Sequence, residues 1–341
     1  MKNKRLSFIM SFAVLLASCS SSSKDALIFV YDESDTFISS FDTALQIELT
    51  KRGCSFQTYY AGNSQIKQNE SLVEAVDKMN PKMMFINPVD RLSSGAIIDK
   101  VSTKDIPVVF FNRQPLAQDM IRGRKNNNKI FYVGTDPNFE GKAQAKMVEN
   151  LFGTSSSLNP LYDKNGDGII QTVLIKGEIG HQDSEKRSKA AMEALKNDGY
   201  QIETLYSTYC NWSRSLAKDN SKEIMKKYGK DIELILCNND DMALGVIDYL
   251  LSNENAFEWE GESLPFPIFG VDGTTVGLEY VRKGLLSGTV KNESHRQAVA
   301  CVRIVEEIQK YGKITESFPY HMANEYTIYV EGSAITKENL L

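Results

Sequence analysis

The sequence lacks the motifs by which several enzyme classes are recognised. Its 341 residues contain no Gly-x-Ser-x-Gly nucleophile elbow, no histidine cluster typical of metal-dependent hydrolases, and no glycine-rich nucleotide fingerprint. The five cysteines and three histidines include neither a Cys-x-x-Cys pair nor a spacing typical of zinc sites. These absences disfavour an enzyme and a zinc protein.

The sequence also lacks an excess of basic residues, and the acidic excess grows when the N-terminal segment is left out. The apolar run Leu6–Ala17 follows Lys2, Lys4 and Arg5, and it is too short to span a bilayer but suits a signal-peptide core. We predict a signal peptide at residues 1–18 and export of the protein. Its removal leaves 36 basic against 44 acidic residues, a net charge of about −8 with histidine neutral. This charge disfavours nucleic acid and a basic membrane-binding surface.

The end of the predicted signal carries a cysteine. The segment Leu16–Cys19 resembles a bacterial lipoprotein signal, in which the cysteine becomes the lipidated first residue, and the four serines Ser20–Ser23 suit a flexible tether over residues 19–25. We therefore expect a lipid anchor at Cys19, facing the periplasm or the cell exterior. An ordinary secretory signal with a chance cysteine is the alternative. In either case the protein is exported, and the lipid, if present, would be its only link to the membrane.

The other four cysteines lie apart in the sequence. Cys237 ends an apolar run, and Cys301 falls on the apolar face of a helical pattern. Buried free thiols are the favoured interpretation for these residues, together with Cys54 and Cys210, although one disulfide stays open.

Short apolar runs alternate with segments of helical periodicity along the whole chain. The predicted strands are Ala26–Tyr31, Cys54–Tyr60, Met83–Ile86, Pro107–Phe111, Ile130–Val133, Thr172–Lys176, Gln201–Ser207, Glu233–Cys237, Pro267–Gly270 and Gly288–Val290. The predicted helices include Ser64–Lys78, Glu140–Leu151, Glu185–Lys196, Ser213–Lys227, Met242–Leu251 and His295–Tyr311. Such alternation predicts an α/β protein with parallel sheets, and the chain length favours two domains.

Polar side chains follow most of these strands. Ligands of open parallel sheets bind beyond the carboxyl ends of the strands, so these side chains are candidate binding residues. They are Asp35, Asn112, Arg113, His181, Asp183, Arg187, Asn238, Asn239, Asp240, Asp272 and Asn292, with the aromatic residues Phe37 and Trp212 nearby. Planar polar groups make paired bonds to adjacent hydroxyls, and aromatic faces cover apolar ring faces. Each residue taken alone also suits a helix N-cap or a turn, but the recurrence at strand after strand favours binding.

Residues 163–171 have the spacing of an EF-hand-like cation loop. Its candidate ligands are Asp163, Asn165 and Asp167 at positions 1, 3 and 5, the Ile169 carbonyl at position 7 and Gln171 at position 9. Gly168 stands at position 6, where the turn is sharp, but position 12 is Leu174 instead of glutamate. Oxygen ligands on a flexible turn suit Ca²⁺ better than Mg²⁺. A polar turn without metal is the alternative.

Seven segments carry a family resemblance that covers nearly all of the mature chain. They are Val108–Pro115, Tyr132–Asp136, Asp163–Gln171, Lys176–His181, Asn238–Asp240, Phe269–Asp272 and Gly288–Asn292. With them the chain resembles the periplasmic galactose/glucose-binding proteins of type I sugar ABC transporters. The resemblance implies a type I periplasmic binding protein fold, in which two doubly wound parallel-sheet lobes are joined by a three-segment hinge.

The resemblance also implies boundaries for the two lobes. The N-terminal lobe would comprise residues 26–133 and 294–325, and the C-terminal lobe, with the cation loop, residues 134–293 and 326–341. The three crossings between the lobes would lie near Val133–Thr135, Asn292–Ser294 and Ala323–Tyr326.

Carried over by position, the resemblance assigns roles to the candidate residues. The polar sugar contacts would be Asp35, Asn112, His181, Asp183, Arg187, Asn239, Asp272 and Asn292, and the stacking aromatics Phe37 and Trp212. Calcium would be held by the loop ligands above and by a distant carboxylate, Glu233, which only the resemblance identifies. Arg113 is a departure, because a member of the family carries lysine there, and we expect a similar charged contact at the pocket edge.

The function implied is transport. D-glucose or D-galactose would be captured by closure of the lobes and delivered to a membrane permease, and a chemoreceptor is a further possible partner. Calcium would be structural, and a monomer is expected. The main alternative is another sugar, such as ribose, xylose or a furanose signal. An enzyme using His181 with Asp183, or Asp35 with Asp272, and a transcription regulator, for which no N-terminal helix-turn-helix is found, are weaker alternatives.

Overall fold

The computed structural model describes residues 24–253 and 264–340. The predicted signal peptide, Cys19 and most of the serine tether lie outside these residues. Within them, no helix is both long and apolar enough to cross a membrane.

Strands and helices alternate along the chain. The strands are β1 (Ala26–Val30), β2 (Phe56–Tyr60), β3 (Met83–Ile86), β4 (Val108–Phe111), β5 (Ile130–Gly134), β6 (Gly153–Thr154), β7 (Ser157–Leu158), β8 (Ile169–Lys176), β9 (Gln201–Tyr209), β10 (Leu234–Cys237), β11 (Ile268–Asp272), β12 (Gly288–Lys291), β13 (Met322–Asn324), β14 (Thr327–Tyr329) and β15 (Ser333–Ile335). The helices are α1 (Thr36–Lys51), α2 (Gln65–Lys78), α3 (Ser94–Val101), α4 (Ala117–Arg124), α5 (Pro137–Phe152), α6 (Gln182–Asn197), α7 (Arg214–Tyr228), α8 (Asp240–Leu251), α9 (Thr275–Arg282) and α10 (Ser294–Tyr311).

Two sheets define two lobes. The first sheet has the strand order β13-β14-β5-β4-β3-β1-β2, and the second has the order β15-β12-β11-β10-β8-β9. All ten predicted strands and all six predicted helices are confirmed, with ends that differ by a few residues. The sheets are not purely parallel, because β13 and β15 pair antiparallel with β14 and β12 at the edges. The short strands β6 and β7 form a separate hairpin.

Helices cover both faces of each sheet, so the central strands are apolar along their whole length. In the first lobe α1 and α10 pack on one face, where Phe41 stacks on Phe111 with ring centroids 4.1 Å apart. Helices α2, α3 and α4 cover the other face. In the second lobe α5 and α6 pack together on one face, and α7 and α8 on the other. Burial on both faces explains why the strands β1, β3, β4 and β10 are buried at every residue.

Three chain segments cross between the lobes. The first joins β5 to α5 at Thr135 and Asp136, and the second joins β12 to α10 at residues 292–293. The third prediction, a crossing near Ala323–Tyr326, is wrong. Strand β14 pairs with β5 of the first sheet, so the chain passes to the second lobe only at residues 330–332. The hairpin of β13 and β14 therefore stays in the first lobe up to residue 329, whereas the implied boundary places residues from 326 onwards in the second lobe.

The four described cysteines are free. Cys210, Cys237 and Cys301 are buried, as predicted, while Cys54 is half-buried. The disulfide that the sequence left open is therefore not formed among these four residues.

Candidate functional site

A cavity lies between the two lobes, at the carboxyl ends of the strands of both sheets. Its lining consists of Tyr31, Asp35, Phe37, Asn112, Arg113, His181, Asp183, Arg187, Trp212, Asn239, Asp272 and Asn292. Eleven of these twelve residues are among the thirteen candidate binding residues predicted from the sequence, and the twelfth is Tyr31. The other two candidates, Asn238 and Asp240, do not line the cavity. Residues spread over more than 250 positions of the chain are thus brought to one cavity by the topology of the two sheets.

The first-lobe wall is built on the start of α1. Asp35 caps this helix, because its Oδ1 accepts a hydrogen bond from the Ile38 backbone N–H at 2.9 Å. Its Oδ2 accepts a hydrogen bond from the Tyr31 hydroxyl at 2.5 Å. Burial raises the pKa of Asp35. Phe37, in the first turn of the helix, is buried beside it, and Asn112 follows β4 with a φ of 58°.

Arg113 lines the cavity and is buried within the protein. The residue is 2 % exposed, and its guanidinium carbon lies 3.8 Å from the centre of the Tyr31 ring. Its Nη1 donates a hydrogen bond to the Val89 carbonyl, and its Nη2 lies 2.8 Å from Glu178 Oε2 in the second lobe. Its Nε has no hydrogen-bond partner within the described residues.

The second-lobe wall begins at the N-terminus of α6. His181 caps the helix through its Nδ1, which accepts a hydrogen bond from the Asp183 backbone N–H at 3.2 Å. Burial, with a smaller effect of Arg113 and Arg187, holds the pKa of His181 well below its usual range, so the ring is neutral. It meets Trp212 edge-on, with centroids 5.0 Å apart. Burial raises the pKa of Asp183 to about 7, and its Oδ1 has no partner among the described residues.

Arg187 is fixed by a buried carboxylate that the sequence reasoning did not identify. Its Nε lies 2.9 Å and its Nη2 2.5 Å from Oε2 of Glu140 on α5, a residue that is 0 % exposed. Arg187 also donates to the Asn238 carbonyl. The other Glu140 oxygen accepts from the Thr135 hydroxyl at 2.9 Å, within the first crossing. The only signal in the sequence was an acidic residue in the first turn of a predicted helix, which is common.

Trp212 stands on a turn with an unusual backbone. Asn211 and Trp212 have φ values of 48° and 64°, which is the left-handed region. The indole ring passes so close to Gly177 that a Cβ there would lie 2.3 Å from ring atoms, so only glycine fits. Asn239 caps α8 by accepting from the Met242 N–H at 2.9 Å and donates to the Trp212 carbonyl at 3.2 Å. The turn therefore fixes the ring at the cavity wall.

Asp272 and Asn292 close the second-lobe wall. Asp272 has a φ of 114°, and its Oδ1 lies 3.5 Å from Nδ2 of Asn292. Asn292 Oδ1 in turn accepts from Gln297 Nε2 at 2.5 Å. Burial, aided by Asp240, raises the pKa of Asp272 well above its usual range.

The arrangement suits binding better than acid-base catalysis. Nδ1 of His181 faces a backbone N–H, so no imidazole–carboxylate pair is formed with the side chain of Asp183. The Asp35 carboxylate is already occupied by the Tyr31 hydroxyl and a backbone N–H. The cavity instead offers several planar acceptors and donors, together with the faces of Phe37 and Trp212.

Contacts across the cleft show that the lobes are closed in this structure. On one side of the cavity the Thr36 hydroxyl donates to Asp241 Oδ2 at 2.6 Å. On another side Gln182 Nε2 lies 3.4 Å from the Asn112 carbonyl, near the Arg113–Glu178 ion pair. None of these pairs was predicted, because each forms only when the lobes meet.

The cation loop lies in the second lobe, and its side chains hold its own backbone. The two carboxylate oxygens of Asp163 accept from the N–H groups of Gly166 and Gly168 at 2.9 and 3.2 Å. Gly166 and Gly168 have φ values of 72° and 74°, so both positions favour glycine. Asp167 accepts from Asn165 Nδ2 at 2.9 Å.

Glu233, from the segment before β10, lies against the same loop. It is 2 % exposed, and its Oε1 accepts from the Lys164 N–H at 2.6 Å. Gln171 is 4 % exposed and donates to Asp167 Oδ2 at 2.9 Å, while its Oε1 has no donor within the described residues. Burial raises the pKa of Glu233. A buried oxygen without a donor beside buried carboxylates fits a cation bound there.

The donor set consists of oxygen atoms, which is the chemistry that Ca²⁺ prefers. Over residues 24–253 and 264–340, no three His, Cys, Asp or Glu side chains are close enough together to form a metal cluster. The candidate set does not depend on such a cluster alone, because Asn165, Gln171 and the Ile169 carbonyl would supply half of its ligands. The residues therefore fit a calcium ion, provided that the carboxylates turn from the backbone N–H groups towards it.

Comparisons with known proteins agree with this architecture. The model of the periplasmic binding protein domain family matches residues 26–314. The chain is 32 % identical to the D-galactose/methyl-galactoside binding periplasmic protein MglB of Haemophilus influenzae, over 100 % of this chain and 98 % of the relative. It is 20 % identical to the ribose import binding protein RbsB of Salmonella typhimurium, over 94 % of this chain and 97 % of the relative.

Solved structures share the fold. The myo-inositol binding protein of Caulobacter, bound to myo-inositol, has a TM-score of 0.75 at 20 % identity and covers 94 % of this chain and 95 % of its own. A periplasmic solute binding protein of Actinobacillus succinogenes with bound D-allose has a TM-score of 0.73 at 20 % identity, over 92 % of this chain and 97 % of its own. The predicted type I periplasmic binding protein fold is thereby confirmed, with mixed sheets.

Proposed function

Because the chain belongs to the periplasmic binding protein family, we propose that it captures D-glucose or D-galactose between its lobes as the binding component of a sugar ABC transporter. The observation that carries the proposal is that one cavity gathers eleven of the thirteen predicted residues from both lobes. As a member of this family, the chain is a binding protein and not an enzyme.

The chemistry of the cavity supports a monosaccharide. Carboxylate, amide and guanidinium groups make paired hydrogen bonds to neighbouring hydroxyls, and an analogue that lacks a hydroxyl leaves a buried group unpaired. Asp183 Oδ1 and Arg113 Nε are buried without a partner among the described residues, so both have bonding capacity for a ligand. Phe37 and Trp212 supply aromatic faces for the apolar faces of a pyranose ring.

The choice of hexose is supported by the relative with 32 % identity, whose name includes D-galactose. Other similar proteins are described with ribose, D-allose or myo-inositol. A different sugar, such as ribose, xylose or a furanose, is therefore the second candidate. The pairing of two aromatic residues with polar groups from both lobes favours a six-membered ring.

Binding proceeds by closure of the lobes. The contacts Thr36–Asp241 and Arg113–Glu178 exist only when the lobes meet, and a sugar that touches both walls stabilises the same state. Opening at the three crossings then admits and releases the sugar. The closed form delivers it to a membrane permease, and a chemoreceptor is a further candidate partner. We propose a monomer, lipid-anchored through Cys19 on the outer side of a bacterial membrane.

A calcium ion belongs to the same proposal. The residues that would hold it are Asp163, Asn165, Asp167, Ile169 through its carbonyl, Gln171 and Glu233. The ion would neutralise the carboxylates and fill the bonding capacity of Gln171 Oε1, which has no donor among the described residues. Its role would be structural, because the loop is tied to β8 and β10 and contributes no residue to the cavity.

Calorimetric titration tests the proposal. The mature protein is unfolded and refolded to remove carried-over sugar, then titrated with D-glucose, D-galactose and D-ribose in calcium buffer. We expect a dissociation constant in the micromolar range or tighter, about −8 kcal/mol or more favourable, for a hexose and no binding of ribose. Absence of heat with both hexoses would contradict the proposed ligand.

A further inference from the structure

We infer that Glu178 is a positioning residue that orients Arg113 across the closed cleft and couples closure to ligand recognition. The inference rests on the proposed function, because it assigns the role of one more residue in sugar binding. Glu178 follows β8 and precedes α6, and it does not line the cavity. Its effect on a ligand would therefore pass through Arg113.

The first lobe fixes two parts of the Arg113 guanidinium. Its plane lies over the Tyr31 ring at 3.8 Å, and Nη1 donates to the Val89 carbonyl. These contacts persist when the lobes separate, because all three residues belong to the first lobe. They leave Nη2 and Nε without a first-lobe acceptor among the described residues.

The second lobe supplies the missing partner for Nη2 only. Glu178 Oε2 lies 2.8 Å from it, and this is the only ion pair that Arg113 makes in the described part of the chain. The Glu178 side chain is 38 % exposed, whereas that of Arg113 is 3 % exposed. Closure thus turns a solvated carboxylate towards a buried cation, and Nε, the guanidinium nitrogen that has no partner among the described residues, is left for a hydroxyl of the ligand.

A lysine at position 113 would not reproduce this geometry. The planar guanidinium lies over a ring, bonds a carbonyl through one nitrogen and a carboxylate through another, and holds its remaining N–H groups, that of Nε among them, in fixed directions. A lysine ammonium offers one nitrogen for all of these partners. The arginine therefore gives Glu178 a role in fixing the direction of the Nε–H group.

The test compares wild type with Glu178→Gln by calorimetry and stopped-flow release of the hexose. We expect at least about a tenfold loss of affinity, mainly through faster release, because the buried charge of Arg113 loses its counterion. Raising the ionic strength should weaken wild-type binding and change the variant much less. Asp248→Asn is the matched control, since Asp248 pairs with Arg214 within the second lobe at 2.7 Å, and it should bind as wild type does.

A double-mutant cycle separates positioning from a general structural role. In an Arg113→Met background, Glu178→Gln should change affinity by less than about twofold, because the charge that it orients is gone. A full tenfold effect in that background, or wild-type affinity and salt dependence in the single variant, would overturn the inference.

If no sugar binds, small-angle X-ray scattering of the sugar-free protein tests the ion pair between Arg113 and Glu178 separately. Failure of wild type to bind any sugar contradicts the proposed function alone. A smaller radius of gyration at low than at high salt in wild type, but not in Glu178→Gln, would support the interlobe ion pair. Equal radii in all four samples would overturn it.

Discussion

The interlobe cavity and the cation loop are both polar, yet they differ in how their polar groups are satisfied. In the cavity, Asp183 Oδ1 and Arg113 Nε have no partner among the described residues. In the loop, both oxygens of Asp163 accept backbone N–H groups, and Gln171 Oε1 is a buried oxygen without a donor among the described residues. The cavity is assembled from both lobes, whereas the loop is closed within nine residues and one distant glutamate.

The difference indicates that the cavity serves ligand binding and that the loop serves stability. A buried polar group without a partner costs about 1–3 kcal/mol, which a ligand that supplies the bond removes. The cavity therefore gains from a ligand and changes with closure. The loop already satisfies most of its own backbone, so an ion there would add stability without reshaping the lobe. Variants in the two regions should accordingly affect different measurements.

Asp183→Ala should give the largest effect. It removes a buried carboxylate from the cavity wall, and we expect sugar affinity to fall at least about a hundredfold while the protein stays folded. Calorimetric titration and the thermal unfolding of the sugar-free variant are the measurements. Exposed Glu193 on the same helix gives the control Glu193→Ala, which should bind normally. A normal titration curve for Asp183→Ala would remove Asp183 from the binding site.

Asp240→Asn tests how a buried carboxylate that already has its hydrogen-bond partners affects the pH dependence of stability. Asp240 is fully buried beside the cavity wall but satisfied, since it accepts from the Thr289 hydroxyl at 2.6 Å and the Thr274 N–H at 2.7 Å. Burial raises the pKa of Asp240 from 3.8 to about 7. The folded state then binds more protons than the unfolded state between these values, so stability falls as pH rises through that window.

We expect the free energy of unfolding of wild type to fall between about pH 5 and about pH 8, and Asp240→Asn to reduce that fall by about 1–3 kcal/mol. Urea unfolding at the two pH values measures it. The exposed Asp231 gives the control Asp231→Asn, which should retain the wild-type slope. Equal slopes in all three proteins would show that Asp240 does not titrate in this window.

Trp212→Ala tests the aromatic part of the cavity. Loss of one stacking face should weaken sugar binding by at least about tenfold, because apolar area and an aromatic contact are both lost. The control is Tyr206→Ala, which removes an exposed aromatic residue of the same lobe. Unchanged affinity in calorimetry for Trp212→Ala would place the ligand away from this wall.

The two regions were predicted from the sequence by different signals. The cation loop was predicted from the local spacing of its residues alone. Its glycines Gly166 and Gly168 have φ values of 72° and 74°, the left-handed conformation that favours glycine in a sharp turn. The cavity residues follow from the rule that ligands bind beyond strand ends, which applies once strand-helix alternation is seen. Periodicity is a strong signal for buried parallel strands, so every predicted strand is present.

The features that could not be predicted from the sequence are contacts between residues that are far apart along the chain. Glu140 pairs with Arg187 and Glu178 with Arg113, but neither glutamate differs in its local pattern from a solvated residue. The third crossing was placed too early because β14, only three residues long, has too little periodicity to show that it pairs with β5. The resemblance alone did not assign β14 to the correct lobe, and its hydrogen bonds to β5 were needed for that assignment.

Glu233→Gln should give the smallest effect and should leave the cavity unchanged. Glu233 is the proposed ligand that completes the loop, so the variant should lose most of the calcium-dependent rise in melting temperature, roughly 2–4 °C for about 1 kcal/mol. Calorimetric melting with calcium and with chelator measures this, and sugar affinity in calcium buffer should stay within about twofold of wild type. Glu203→Gln, an exposed carboxylate on the neighbouring β9, is the control and should keep the full rise. A calcium response in Glu233→Gln equal to that of wild type would exclude Glu233 as a ligand, and a parallel loss of sugar affinity would show that the loop and the cavity are coupled and not independent.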